Sequence, residues 1–372
     1  DQRGKPNGLA GEVDIMDTWA TSSLSPQIAT GWLTDDELFK ATYPMDLRPQ
    51  GQDIIRTWLF SSMVRAHLEF GENPWKNAAI SGWILDPDRK KMSKSKGNVV
   101  TPLGLLEKHS SDGVRYWAAS ARLGTDAAFE ENQMKIGRRL AIKLLNASKF
   151  ALTMGGDTVE FNPAIITLPV DQAMVARIAT VVDQATEALD NYDHTRALEV
   201  TESAFWAFCD DYLELVKDRA YNRDDQFSLA ETESARSALA LSVDAFVRLL
   251  APFIPYSAEE VWSWYAKGSV HKASWPTSAP LRKAAGDANE DLLRVAGEAL
   301  AVLRRVKSEN KVSQRTSYAS VAMIAPEATH EQIESVRADL RHAAHVRGPL
   351  EVSEGDTIAV ASYELDPAPT KN

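Results

Sequence analysis

The residues best suited to chemistry lie in one short run, Asp86-Pro87-Asp88-Arg89-Lys90-Lys91-Met92-Ser93-Lys94-Ser95-Lys96-Gly97-Asn98. From Arg89 to Lys96 it carries five cations among small hydroxyl residues. Gly97-Asn98 then supplies a pair that turns the chain readily. A loop of this make-up is flexible, dense in positive charge and able to close over a polyphosphate. A Lys-rich octamer in isolation is more often a solvated basic loop or a nuclear-localisation-like run. The order of the letters must therefore decide.

The elements around this loop suggest a nucleotide fold. Leu47 to Gln50 reads as a strand end, Gly51 as a tight turn and Asp53 as the N-cap of a helix. In that helix Ile54 or Ile55, Trp58, Ser62, Ala66 and Phe70 recur at helical spacing. Open parallel sheets bind ligands beyond the strand C-termini at such turns, where a carboxylate can hold ribose hydroxyls. Asn77 to Leu85 reads as a buried parallel strand that delivers the chain to the basic loop. The spacing fits a right-handed crossover, so residues 1–97 read as the second half of a doubly wound, Rossmann-like domain. Before it, Asp14 to Ser23 is a short apolar and aromatic stretch ending in hydroxyl residues suited to cap a following turn or helix.

Beyond the loop, Thr101-Pro102 reads as an N-cap and first helical residue, and Asp112 to Ala121 as a helix with Val114, Trp117 and Ala118 on one face. From Met134 the texture changes to long amphipathic helices. Met134 to Met154 holds Lys135, Arg138, Arg139, Lys143 and Lys149 and no acid. Lys135, Arg139, Lys143 and Asn146 share one face, and Ile136, Leu140, Leu144 and Ala147 lie on another. In a chain of net charge -11, a helix with uncompensated cations points to a phosphate partner more than to solvation alone. Residues 155–169 form a Gly/Pro-punctuated connection. Helices are expected at about 170–190, 194–221, 229–251 and 256–266, with Ser257 and Glu260 as a capping box. A polar linker at 276–288 precedes a helix at 289–309 and a small α/β segment. That segment comprises a strand at Ser317–Ile324, a helix at His330–Val346, a hairpin of Leu350–Ser353 with Thr357–Ser362, and a disordered Pro/Lys tail.

Composition narrows the class. A length of 372 residues suggests two to three domains, and 44% hydrophobic with 25% charged residues leaves ample core. No apolar run reaches a membrane span, and no signal peptide is evident. The single cysteine, Cys209, excludes an internal disulfide and an all-Cys zinc site, suits a reducing cytoplasm, and reads as a packing residue. The acidic total does not exclude nucleic acid, because binding depends on local basic faces. Asp1 is not an initiator Met, so the chain reads as cut from the middle of a longer protein.

Lys91-Met92-Ser93-Lys94-Ser95, followed by Gly97-Asn98, resembles the second signature of the class I aminoacyl-tRNA synthetases. Asp14-Ile15-Met16-Asp17-Thr18-Trp19-Ala20-Thr21-Ser22-Ser23 and its continuation resemble the valyl branch more than the isoleucyl one. Leu144 to Phe150 is similar to the first helix of the anticodon-binding bundle. The resemblance spans about residues 12–310 and implies the C-terminal portion of a synthetase. Its parts would be a partial catalytic domain (1–97), a stem-contact region (98–133), a helical anticodon-binding domain (134–275), the linker (276–288) and a C-terminal segment (289–372). It further implies activation of valine with ATP and transfer to tRNA(Val), with Mg²⁺ accompanying ATP, no tightly bound cofactor and no protein metal site.

By the same resemblance Gly51 and Asp53 contact the ribose, and Lys91, Ser93, Lys94 and Ser95 bind ATP. Lys94 meets the reacting phosphorus and Lys91 supports it. Trp19 and Trp58 wall the amino-acid pocket. Lys135, Arg138, Arg139, Lys143, Asn146 and Lys149 face tRNA. The first signature, His-x-Gly-His, is not found: His342-Ala343-Ala344-His345 has Ala for Gly and lies in the terminal helix. No stretch can supply an editing domain, and no sustained heptads mark a coiled-coil arm. The chain alone is therefore expected to be inactive in adenylation, with the missing N-terminal half as its partner. An isoleucyl-type enzyme and a stand-alone tRNA-binding module are the alternatives.

Overall fold

The computed structural model describes residues 2, 4–11, 13–93, 95, 97–154, 163–223 and 225–366. It divides into two compact units, residues 1–100 with 121–130, and residues 101–120 with 131–372. The stretch 98–133, read from sequence as one connecting region, is thus distributed over both.

In the first unit, three short helices, α1 (Thr18–Ser22), α2 (Ser25–Ala29) and α3 (Asp36–Thr42), precede strand β1 (Met45–Gly51). Asp17, not a hydroxyl residue, caps α1 by accepting from the Trp19 N–H, and Ser23 ends it. The predicted helix after β1 starts irregularly. Gln52–Ile54 is a 3₁₀ turn and Ile55–Leu59 a π turn, followed by α4 (Phe60–Phe70). Asp53 therefore does not serve as the α-helix N-cap. Gly71 ends α4 at φ 76, the left-handed conformation that favours glycine. Strand β2 (Trp75–Ser81) runs parallel to β1, from Met45 opposite Trp75 to Gly51 opposite Ser81. The expected strand at 77–85 is split, because Gly82 and Trp83 break it before β3 (Ile84–Leu85). β2 is also largely exposed rather than buried, since among the described residues only β1 pairs with it.

Helix α5 (Leu103–Ala119) and strand β4 (Ala127–Ala128) follow, then α6 (Glu131–Thr153). β4 pairs parallel with β3 in the first unit. α5 packs on α6 in the second. Thr101 does not cap α5; Pro102 is its N-cap residue, without a side-chain bond. A kink at Ser110 (φ 67) reorients the helix, and its buried residues are His109, Asp112, Gly113 and Tyr116, with Val114 and Trp117 half-buried and Ala118 exposed. Glycines explain this change. A Cβ on Gly137 would lie 2.4 Å from the Tyr116 Cβ, and one on Gly113 would lie 2.8 Å from the Met134 carbonyl oxygen.

The bundle continues with α7 (Pro169–Asp190), α8 (His194–Ala207), α9 (Leu213–Tyr221), α10 (Leu229–Leu250) and α11 (Pro255–Ser263). A π turn at Phe208–Tyr212 joins α8 to α9 and holds Cys209 in the core, where burial pushes its thiol up to about 12. Ser257 and Glu260 form no capping box. The Ser257 N–H and hydroxyl both donate to Asp112, and Glu260 accepts from the Trp264 indole. The capping box is Ser228–Glu231, at the start of α10.

The expected linker contains α12 (Ser278–Ala285), which buries Leu281 and Ala285 and packs on α7. α13 (Asp291–Glu309), β5 (Tyr318–Ala325), α14 (His330–Ser335), α15 (Arg337–Ala343), β6 (Leu350–Glu354) and β7 (Ala359–Leu365) complete the unit. The last two strands are not a hairpin. β5 lies between them, parallel to β6 and antiparallel to β7. One continuous apolar core runs from Tyr116 to Leu350. The predicted disordered tail at 367–372 lies outside the described residues.

A buried ion cluster joins α9 to the C-terminal segment. Arg219 is only 1% exposed. Its guanidinium donates twice to Asp171, twice to Asp339 and once to the Glu231 carbonyl, at 2.8–3.1 Å. Tyr212 and Ser234 also donate to Asp171, so its carboxylate accepts bonds on both oxygens.

Candidate functional site

The 86–98 loop is organised by one carboxylate. Asp86 accepts from the Lys90 N–H and from the Asn98 side-chain amide, both at 2.7 Å. Asn98 in turn accepts from the Ser93 N–H at 3.0 Å. The Lys90 N–H first, and Asn98 second, hold the Asp86 carboxyl below its ordinary value. Arg89 and Gly97 take left-handed conformations at φ 61 and 66, which fold the loop back on itself. Asp86 thus closes the loop through a backbone N–H and an amide, and among the described residues its carboxylate forms no ion pair with a lysine. Lys91 rests its ammonium 4.0 Å from the centre of the Trp83 ring. The Ser93 and Ser95 hydroxyls lie 3.3 Å apart. Lys94, expected to meet the reacting phosphorus, lies outside the described residues.

Asp126 connects the loop base to the Gly51 turn. Its Oδ1 accepts from the Trp83 N–H at 2.8 Å and from Gln52 Nε2 at 3.3 Å. β3 and β4 keep this arrangement in register, with Ile84 opposite Ala127. At the end of β1, a Cβ on Gly51 would lie 2.8 Å from Asp53 Oδ1, so the glycine leaves room for that carboxylate. Asp53 is exposed and accepts no hydrogen bond among the described residues. Gly51, Asp53, Lys91, Ser93 and Ser95 all belong to the first compact unit. Of the residues that organise this region, Asp86 and Asn98 bound the run picked out from sequence, Asn98 as part of its turn, whereas their hydrogen bond and the role of Asp126 were not foreseen. Asp126 carries no local signal, because its partners lie 43 and 74 residues away.

Trp58 is buried. Its indole donates to the Ser22 carbonyl at 2.8 Å, one face stacks on Trp75, and the Arg48 guanidinium lies 4.1 Å from its ring centre. Trp19 is half-buried on α1, which Arg65 also holds through the Ala20 carbonyl. The two tryptophans thus belong to neighbouring elements.

On α6, Lys135, Arg138, Arg139, Asn146 and Lys149 are exposed. Lys143 differs. Burial of its stem opposes its charge, but the Asp210 carboxylate at 2.9 Å holds it above the ordinary lysine value. It is therefore compensated, contrary to the sequence expectation, by an acid 67 residues away. Arg139 lies 5.4 Å from the Trp206 ring centre. Glu131, at the start of α6, binds Lys108 first and His109 second, which lowers its carboxyl to about 2 and pins α5 to α6.

Comparison with known proteins follows this division. Residues 3–130 match the family described as tRNA synthetases class I (I, L, M and V), and residues 171–323 match the anticodon-binding domain of tRNA ligase. The valine–tRNA ligase of Thermobifida fusca is 56% identical over 368 residues, covering 99% of this chain and 41% of that protein. A Bifidobacterium longum valine–tRNA ligase is 54% identical over 402 residues, covering all of this chain and 44% of its own length. The chain thus spans about two fifths of the relatives it matches. Among solved structures, LeuRS of Agrobacterium radiobacter K84, in a ternary complex with tRNA and LeuAMS, superposes with a TM-score of 0.60 at 17% identity. That likeness covers 97% of this chain and 44% of LeuRS, and it shows the fold.

Proposed function

The chain belongs to the valine–tRNA ligase branch of the class I tRNA synthetases, and from that premise we propose that it supplies the phosphate-handling loop and the tRNA-binding bundle of such an enzyme. In the proposed reaction, a valine carboxylate oxygen attacks the α-phosphorus of ATP, and the bond to the β-phosphate bridging oxygen breaks. Pyrophosphate leaves with that electron pair. A ribose hydroxyl at the tRNA 3′ end then attacks the acyl carbon, displaces AMP and loses its proton.

The observation that carries this reading is the loop closed by Asp86 and Asn98 and tied through Asp126 to the Gly51 turn. Lys91 and Lys94 would neutralise charge that develops on the phosphates, while Gly51 and Asp53 receive the ribose. Such a loop binds the transition state better than ATP in its ground state. Mg²⁺ would enter with ATP as part of the substrate and would screen the phosphate charge. Among the described residues no three His, Cys, Asp or Glu side chains converge to hold a metal. Trp19 and Trp58 are proposed as the apolar side of the valine site. tRNA(Val) is the proposed RNA, received by the exposed cations of α6. A cytoplasmic enzyme suits this chemistry, and no described helix is long and apolar enough to cross a membrane.

A chimaera tests the proposal. Residues 1–372 replace the matching part of the Thermobifida fusca relative, and amino-acid-dependent exchange of pyrophosphate into ATP is measured. Exchange with valine well above that with isoleucine is expected; a preference for isoleucine, or none, would reject the valyl assignment.

A further inference from the structure

Helix α13 packs on α7 and on the Phe208–Tyr212 π turn, and between them lies a cleft of about 480 Å³. That volume falls within the range of about 300–1,000 Å³ found for small-molecule sites. The floor of the cleft is apolar. Met174, Phe208, Leu215 and Ala296 line it, and each is at most 2% exposed. Tyr212 adds its ring, while its hydroxyl is committed to Asp171.

The charged groups at the mouth are paired, with one exception. Arg294 donates to Asp291 and Glu298 at 2.7–3.0 Å. Glu290 accepts from the Thr180 hydroxyl and lies 3.8 Å from Arg177. The Asp211 carboxylate has no hydrogen-bond or ion-pair partner among the described residues. Arg304, whose charge acts on it, is committed to Glu214 at 3.1 Å. Asp211 is exposed at the mouth, yet the surrounding walls desolvate its carboxyl enough to raise it above the ordinary value, with Asp210 adding to the shift.

The backbone places this carboxylate in the cleft. Asp211 belongs to the π turn, a departure from the α-helix that recurs at functional sites. Across from it, α13 carries Gly297, where glycine weakens a helix. A Cβ there would lie 3.3 Å from Asp211 Cγ, so the glycine leaves room for the carboxylate against α13.

We propose that this cleft binds a small organic cation, an ammonium or guanidinium head on an apolar body, with the head on Asp211 and the body against Met174, Phe208 and Leu215. Charge complementarity selects the cation. Arg177 and Arg294 already face Glu290 and Asp291, so an entering anion would meet an uncompensated carboxylate. The floor selects the body, because covering it removes apolar surface from water. None of these residues takes part in the ATP, valine or tRNA readings, so the site stands or falls apart from them.

The test uses the whole 372-residue chain and probes of equal chain length, hexylamine, hexanol and hexanoate. Saturation-transfer NMR titrations at neutral pH give their dissociation constants. Hexylamine should bind about tenfold more tightly than hexanol, the gain from a charge-assisted hydrogen bond, and hexanoate should bind least. Asp211→Asn should abolish the advantage of the amine and leave hexanol unchanged. Ala207→Trp, at the rim of the cleft, should weaken all the probes together. Both positions are exposed, so the fold should tolerate either change. An Asp211→Asn chain that still prefers the amine, or equal binding of hexylamine and hexanoate by the unchanged protein, would overturn the assignment of the head. Undiminished binding by Ala207→Trp, or no saturation transfer to any probe, would overturn the site itself.

Discussion

Arg219 in the bundle and the cations of the 86–98 loop show opposite uses of the same charge. Arg219 is sealed in the core with its donors directed to Asp171, Asp339 and a carbonyl. The loop also has a carboxylate at its centre, but Asp86 binds a backbone N–H and an amide. Among the described residues Arg89, Lys90 and Lys91 form no ion pair, and Lys91 rests on the Trp83 ring. Counting cations does not separate these cases. The position of the nearest acid does. The same division runs along α6, where Lys143 pairs with Asp210 and Arg139 forms no ion pair among the described residues.

The most damaging change to the locked region should be Asp171→Ala. It would leave Arg219 buried with one carboxylate and strand the Tyr212 and Ser234 hydroxyls. Breaking a buried pair from one side costs about 3–5 kcal/mol, read as a lower urea midpoint. A cost near that of a surface pair, below about 1 kcal/mol, would show that the cluster is not what holds α9 to α15. Next in size is Gly137→Ala, whose Cβ meets the Tyr116 ring. Such overpacking costs about 1–3 kcal/mol, and an unchanged midpoint would mean that α5 and α6 separate easily.

The bundle was the most legible part of the chain. Its helices announce themselves by apolar residues at helical spacing, and α7 and α10 fall within a residue of their expected bounds. Features that depend on distant residues were not legible. Ser257-x-x-Glu260 and Ser228-x-x-Glu231 carry the same letters, but Asp112, 145 residues away, captured Ser257. Alternation marks β6 and β7 as strands without saying that β5 comes between them. The basic loop was legible from its order of letters. Its staple at Asp86, its tie at Asp126 and the cleft between α13 and the Phe208–Tyr212 turn required the fold.

Smaller and local effects should follow in the loop. Asp86 is held below its ordinary value, so its stabilisation is present above the unfolded-state pKa of about 3.9 and lost only as pH falls through the lower folded value. The Asn98 side-chain amide resonances should therefore keep their loop-closed shifts as pH falls through about 4. Asp86→Ala should release them at neutral pH with little change in global stability. A transition centred at the ordinary carboxyl value would deny Asp86 its organising role.

The most direct test of the contrast between free and compensated cations is the salt dependence of tRNA(Val) binding by Arg139→Ala and Lys143→Ala, measured side by side on this chain. A phosphate contact contributes about 0.7–0.9 to the slope. Arg139→Ala should lower the slope by that amount and Lys143→Ala should leave it unchanged, because Asp210 already neutralises Lys143. Equal reductions, or a loss confined to Lys143→Ala, would contradict the claim that the position of the nearest acid decides which cations meet RNA.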